Sequence, residues 1–283
     1  MKISIIVLTY NRADALLAVL GSLSSQCNKQ HEVLIADDGS RPDQVELIFK
    51  QTPLFKCPVY HIWHPDTGFT AARSRNIAAV QAKGDYIIFL DGDCIPNKDF
   101  VEQHARLAER GCFVNGSRVL LSNRLTAQAT EGKIRLDECS MFFWLKARMN
   151  SECNKLLHLL VWPWRLFRVK QSFDWKGIRS CNFGVWSSDF VSVNGFDEVF
   201  SGWGHEDADL VLRLGHLGVS RKNGFMATEV FHLWHPENKR DRESCNRNLV
   251  LQRMKTTLTL AKKGLQELDP RMPVRITQLH RPE

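Results

Sequence analysis

The sequence predicts an α/β fold with a mostly parallel central sheet and helices on both faces. Short apolar runs alternate with segments of helical apolar spacing through the first 120 residues. Alternation of that kind implies right-handed crossovers between parallel strands. Polar clusters, TYNR, DDGS and DGDC, close three of the runs. In such sheets ligands lie beyond the carboxyl ends of the strands, so three clusters there predict a shared crevice.

The elements follow in order. KISIIVLT reads as the first strand, and Leu16, Leu17, Leu20 and Leu23 give Arg12 to Ser25 a helical spacing. EVLIAD is the second strand, Asp43 to Lys50 a short helix and VYHIW the third strand. Thr70 to Gln81 is helical and rich in alanine, YIIFLD is the fourth strand, and a helix follows around Phe100 to Arg110. Residues 141–180 differ, because seven aromatic residues are interleaved with bases over 141–173 and Pro163 interrupts any helix. Phe225 to Phe231 reads as strand-like, and Arg242 to Lys263 as an amphipathic helix. The tail after Pro270 lacks periodicity and is expected to be mobile. The organisation expected is one domain over 1–240, in segments 1–120, an aromatic and basic insertion over 121–180, and 181–240, then a basic helix and tail over 241–283.

The chain of 283 residues can hold one large α/β domain with a substantial core. Its eight scattered cysteines include no CxxC pair, which argues against a zinc site or a disulfide scaffold. They read as reduced thiols of a cytoplasmic protein. The opening run ISIIVLTY is too short for a signal peptide, and no stretch approaches the ~20 apolar residues of a membrane span. The net charge of +7 is uneven: residues 141–173 carry six Lys/Arg against one acid, and 236–283 carry eleven against six. Such segments suit an anionic membrane surface, with peripheral docking on its inner face, or a solvated basic surface. A nucleic-acid binder would instead concentrate its bases around the crevice, where the motif-bearing regions are net acidic.

Asp37 and Asp38 end a buried run and could accept from a ring N–H, although Asp-Gly-Ser is also ordinary turn chemistry. In GFTAARSRN, Gly68 permits close backbone approach ahead of a helix carrying Arg73, Arg75 and Asn76, a combination suited to diphosphate. In GWGHEDADL, two glycines flank Trp203, and Glu206, Asp207 and Asp209 open a helix, where the dipole alone would favour acids. The same glycines would make the loop mobile, and an indole beside carboxylates suits a sugar, with one acid as general base. His232 and His235 in FHLWHPE, with Asp91 and Asp93, form a mixed imidazole–carboxylate set that suits Mn²⁺ or Mg²⁺. Gly92 would leave room between the two carboxylates for a diphosphate.

Five segments, ISIIVLTYNR, VLIADDGS, GFTAARSRNIAAVQAKGDYIIFLDGDCIP, NFGVWSSDFVSVNGFDEVFSGWGHEDADLVLRLGHLG and VFHLWHP, occur in one order. That series resembles family 2 glycosyltransferases of the GT-A fold. The second half is similar to the galactosyltransferase-type acceptor segment of chondroitin polymerase domains and β-1,4-galactosyltransferases. The resemblance covers residues 1–120 and 180–236 and leaves 121–180 unmatched. It implies that Thr9, Asn11 and Arg12 hold the nucleoside, that Asp38 contacts the base, and that Arg73 and Asn76 lie near ribose and diphosphate. The second arginine of ARSRN leaves the division of roles between Arg73 and Arg75 open. Asp91-Gly92-Asp93 corresponds to the family's DxD motif, with Asp93 the metal ligand and Asp91 nearer the ribose or bound through water. His232 corresponds to the downstream metal histidine, with His235 its rival. Asp207 corresponds to the catalytic base and Glu206 to the acceptor-hydroxyl contact, beside Trp203.

The activity so implied is inverting, metal-dependent transfer of a hexose from a nucleotide sugar, a UDP-sugar above all, to a glycan hydroxyl. A cell-envelope polysaccharide, a lipid-linked saccharide or a lipopolysaccharide core is the expected acceptor, with no nucleic acid involved. A sugar nucleotidylyltransferase, which shares the sheet and a metal, would need a glycine-rich basic signature near the first strand, where TYNRADALL stands.

Overall fold

The protein is described by a computed structural model covering residues 1–156, 159–161, 167–170, 175, 177–236 and 240–281. In chain order the nucleotide-side elements are β1 (Ile3–Thr9), α1 (Ala13–Gln26), β2 (His31–Asp37), α2 (Pro42–Gln51), β3 (Val59–Trp63), α3 (Ala71–Gln81) and β4 (Tyr86–Asp91). Then come β5 (Cys94–Pro96), α4 (Phe100–Leu107), β6 (Cys112–Asn115), β7 (Ser117–Leu120), α5 (Asn123–Thr130), a 3₁₀ turn at Leu136–Glu138 and α6 (Met141–Met149). The last group is β8 (Asn182–Trp186), α7 (Ser187–Ser192), α8 (Glu206–His216), β9 (Ser220–Asn223), β10 (Glu229–His232), α9 (Glu243–Arg253) and β11 (Arg275–His280).

The large sheet runs β11-β3-β2-β1-β4-β8-β6-β9. β3, β2, β1 and β4 are parallel, as the sequence predicts, and β11 and β8 join antiparallel on either side. Because β1 has β2 on one side and β4 on the other, its carboxyl end is the point where the chain reverses direction across the sheet. A crevice opens at such points. Alternate residues of each strand feed opposite faces. Ile5, Val7, Val33, Ile35, Ile88 and Leu90 join the core under α1, while Ile6, Leu34, Ile87 and Phe89 join the core under α3 and α8. A second, three-stranded sheet, β5-β10-β7, stands beyond the end of β4. Its central strand β10 runs antiparallel to β5, with His232 paired to Cys94.

Four expectations change. The tail contains β11, paired with β3 from Arg275 to His280. Its register is set by backbone pairing on an edge, which requires no apolar alternation in the sequence. α9 stops at Arg253 instead of Lys263, and Leu258 and Leu260 beyond it are exposed. The strand expected over Phe225 to Phe231 is confined to Glu229–His232. The helix from Phe100 ends at Leu107 rather than Arg110. Within the aromatic and basic segment, Pro163, Trp162, Trp164, Arg165 and Phe173 lie outside the described residues. Among the described residues no helix is long and apolar enough to cross a membrane.

Candidate active site

The turn after β4 is fixed by its glycine. The Gly92 amide donates to the Leu8 carbonyl at 2.7 Å, and a Cβ there would lie 2.8 Å from that oxygen. Close approach to β1 therefore explains the glycine, in place of room for a diphosphate, and it sets Asp91 and Asp93 as separate, partly exposed carboxylates. The Asp93 carbonyl accepts from the Leu233 amide at 2.8 Å, which docks β10 against the DxD turn. Two imidazoles then face Asp93: its Oδ2 lies 3.9 Å from His232 Nε2 and 3.4 Å from His235 Nε2. His235 Nδ1 lies 2.7 Å from the Pro236 carbonyl, to which it donates, and this bond orients the ring with Nε2 toward Asp93. Burial lowers the basicity of His232 below its ordinary value, which favours the neutral, ligating form.

Asp93 and His232 place ligand atoms within reach of one cation, a carboxylate–imidazole pair that suits a divalent ion of the Mn²⁺ type, and His235 approaches Asp93 from outside that group. Both histidines that compete for the role in the sequence face the same carboxylate. Cys94 has its sulfur close to Asp93 and His232. Its thiol is fully buried, and desolvation, with the neighbouring Cys181, pushes it well above its ordinary value, so it stays protonated. Asp91 does not join this set. Its carboxylate accepts from Arg75 Nη2 at 2.8 Å.

Arg75 is the functional residue that the sequence left unassigned. It is buried on α3 and reaches in two directions, to Asp91 and, through Nη1 at 3.4 Å, to Glu206. It thus joins the metal-side turn to the start of α8. A second tie runs through the backbone before β8: the Asp91 amide donates to the Cys181 carbonyl at 3.3 Å, and the Ser180 amide donates to Asp207 Oδ2 at 3.2 Å. Glu206 is held by the guanidinium, whereas Asp207 receives, among the described residues, the backbone N–H groups of Ser180 and Ala208. Burial and the neighbouring Glu206 push the Asp207 carboxyl up to about 7. A carboxylate near neutrality, with no direct cation partner among the described residues, suits a general base.

The loop leading to α8 is shaped by left-handed residues: Gly202 has φ +72, Gly204 φ +100 and His205 φ +73. The glycines serve that path more than mobility, because Asn246 of α9 donates to the carbonyls of Ser201 and Gly204 at 3.2 and 2.9 Å. Trp203 is half-buried, with the Arg240 guanidinium 4.8 Å from its ring centroid. Asp209, the third acid of the motif, is fully buried between Arg213 and Arg253, and Arg253 also binds Asp197. This acid braces α8 against α9.

The nucleoside-side residues gather at the ends of β1, β2 and β3. Thr9 closes β1, and its carbonyl accepts from the Asp38 amide at 2.9 Å. Asn11 is left-handed (φ +51) and ties the first turn to the second, through its amide to Ser40 and its side-chain oxygen to the Arg41 amide. Arg12 pairs with Asp14 at the surface. Gly68 has φ +90 with open space around it. Three residues expected near the ligand have partners within the protein. The buried carboxylate of Asp38 accepts from the Thr70 amide and hydroxyl and from Ser74 Oγ, so it caps α3 rather than facing open space. Asn76 is fully buried, and its amide exchanges hydrogen bonds with the backbone of Phe196. Arg73 points to Glu198, 2.9 Å away. Asp66 and Tyr10, which the sequence did not single out, are exposed at the same mouth and share a 2.9 Å hydrogen bond.

A parallel sheet with a DxD turn at its switch point, a carboxylate–imidazole cluster and an acidic helix start beside it is the arrangement of a GT-A-type glycosyltransferase fold. The family model for glycosyl transferase family 2 matches residues 4–171, and the chain belongs to that family. The model described as the N-terminal domain of galactosyltransferase matches residues 166–236. Among curated proteins, hyaluronan synthase of Pasteurella multocida is 30% identical over 89% of this chain and 27% of its own length. Chondroitin synthase of Escherichia coli is 28% identical over 88% of this chain and 37% of its own length. The chain thus spans well under half of these two relatives. Among solved structures, S. aureus TarS in complex with UDP-GlcNAc superposes with a TM-score of 0.55 at 15% identity, covering 88% of this chain and 65% of that one. A mannosyltransferase from Pyrobaculum calidifontis, in complex with GDP-Man and Mn²⁺, gives 0.52 at 14% identity, covering 82% and 56%.

Proposed function

We propose that this glycosyltransferase moves a hexose from a nucleotide sugar to a hydroxyl of an envelope glycan, with inversion at the anomeric carbon and Asp207 as base. One observation carries the reading: Asp207 has a carboxyl near neutrality and, among the described residues, no direct cation partner, in a site that Arg75 joins to the DxD turn. A metal held by Asp93 and His232 would supply Lewis-acid stabilisation of the departing diphosphate. The protein's own groups do the rest. Arg75 pairs with Asp91 and Glu206 and fixes both in place. Glu206 accepts from a neighbouring hydroxyl of the acceptor sugar and so orients the attacking one, and Trp203 offers a face for the sugar ring. Asp207 takes the hydroxyl proton as the oxygen attacks, in one displacement that inverts the centre. Base catalysis of this kind contributes about 10²–10⁴-fold.

Tyr10 and Asp66 are the exposed groups at the nucleoside end and, in this reading, contact the base in place of Asp38. The relatives named for hyaluronan and chondroitin synthesis and the TarS complex with UDP-GlcNAc support a UDP-sugar and a polysaccharide acceptor. The test is nucleoside diphosphate release from a panel of nucleotide sugars with Mn²⁺. Asp207→Asn should lose about 10²–10⁴-fold in kcat and keep donor binding; near-normal turnover in that variant would remove Asp207 as the base.

A further inference from the structure

Helix α6 leaves an apolar face uncovered. Its inner side is set by Trp144 and Ala147, both buried, and Trp144 stacks on Phe231 of β10 with ring centroids 4.5 Å apart and 14° between planes. At about 100° per residue, Met141, Leu145, Met149 and Phe142 fall within one arc of about 100° on the outer side. All four are exposed, Phe142 by 84% and Met149 by 85%. Lys146 and Arg148 fall just beyond the two margins of that arc, and residues 141–151 contain no acid. A surface helix normally turns polar residues to water. Scattered exposed apolar side chains need no explanation, but four on one arc make a patch.

We propose that α6 lies flat on an anionic phospholipid surface. An apolar strip bordered by bases is the pattern of a helix at a lipid interface. Phe142, Met141, Leu145 and Met149 would enter the acyl boundary, while Lys146 and Arg148 reach back along their stems to headgroup phosphates. A second copy fits this face poorly, because isologous packing of α6 on α6 sets the same bases against each other. Phe231 immediately precedes His232, so docking holds the lipid surface one stacked ring pair away from the strand of the metal centre. The docking stands apart from the transferase reading. Only its consequence, an acceptor borne on lipid, rests on that reading.

The test is sedimentation of the full chain with phosphatidylglycerol-containing vesicles and with neutral phosphatidylcholine vesicles, at low and high salt. Binding to the anionic vesicles that weakens with salt is expected. Phe142→Ser with Met149→Ser should lower partitioning about tenfold or more, and Lys146→Ala with Arg148→Ala should remove the preference for anionic lipid. Since all four side chains are exposed, unchanged melting curves would show that both variants fold. Absence of binding at low salt, or binding undiminished by Phe142→Ser with Met149→Ser, would overturn the proposal. So would a dimer that the same variant dissociates, because the face would then belong to a second copy. Vesicle binding by a chain that releases no nucleoside diphosphate would keep the docking and remove the transferase reading.

Discussion

Asp207 links chemistry to stability. Folding raises its carboxyl from an ordinary 3.8 to about 7, first through burial and then through Glu206. Folding therefore favours the protonated form. The stability this group contributes is fully present below about 3.8 and is lost as pH rises through about 7. Asp207→Asn should consequently melt higher than the native protein at pH 8, by on the order of 2 kcal/mol once partial exposure is discounted, and the gap should close near pH 4. Thermal unfolding across that range measures it. The same ionisation predicts that kcat/KM falls as pH drops below about 7. Arg75 makes a different prediction. Arg75→Ala leaves two carboxylates without their buried cation and should cost about 3 kcal/mol in denaturant unfolding. Arg75→Lys keeps the charge but lacks the fork that reaches both acids, so it should lose more activity than stability. Sequence spacing exposed Asp91, Asp93, His232 and Asp207, because each sits in a short motif at the end of an element. It could not choose between Arg73 and Arg75. Two residues apart on a helix means opposite faces, and which face meets the crevice depends on how α3 rolls on its buried alanines. Asp38 and Asn76 misled for a related reason: a polar side chain beside a ligand site and one bracing that site look alike in sequence.

Among the elements, the small sheet is the part the sequence described least. β5, β7 and β10 are three or four residues each, too short for any period to register, yet they deliver His232 to Asp93. Trp144 supports that delivery by stacking on Phe231. Trp144→Ala should cost about 3–5 kcal/mol and should also weaken Mn²⁺ binding, since the strand carrying His232 loses its backing. Unchanged metal affinity in a folded Trp144→Ala variant would show that β10 is held by its strand partners alone. β11 escaped notice because an edge strand with exposed side chains resembles a loop. Removal of residues 271–283 should expose the edge of β3 and promote self-association, measurable by light scattering. The parallel strands were legible for the opposite reason, as each is buried on both faces and reads as an unbroken apolar run.

Across the whole molecule, two buried charge systems join the halves of the chain. Arg75 connects the DxD turn to α8, and Arg253 connects α8 to the segment at Asp197, with Asp209 between Arg253 and Arg213. Arg253→Ala leaves Asp197 and Asp209 buried with one cation fewer and should cost about 3–5 kcal/mol, displacing the GWGHED loop that Asn246 of the same helix holds. The order of motifs was legible in the sequence, but the charges that lock them together were not, because partners such as Arg75 and Glu206 are 131 residues apart. The central claim is that Asp93 and His232 bind a metal that receives the diphosphate, while Asp207 acts separately as base. Thermal unfolding of the native chain, Asp93→Asn and Asp207→Asn with uridine, guanosine and thymidine diphosphates, each with and without Mn²⁺, tests it most directly. One diphosphate at about a hundredfold excess over its Kd should add about 2.7 kcal/mol, only with Mn²⁺, in the native chain and in Asp207→Asn but not in Asp93→Asn. An equal shift in Asp93→Asn, or no Mn²⁺-dependent shift with any of the three, would contradict the account.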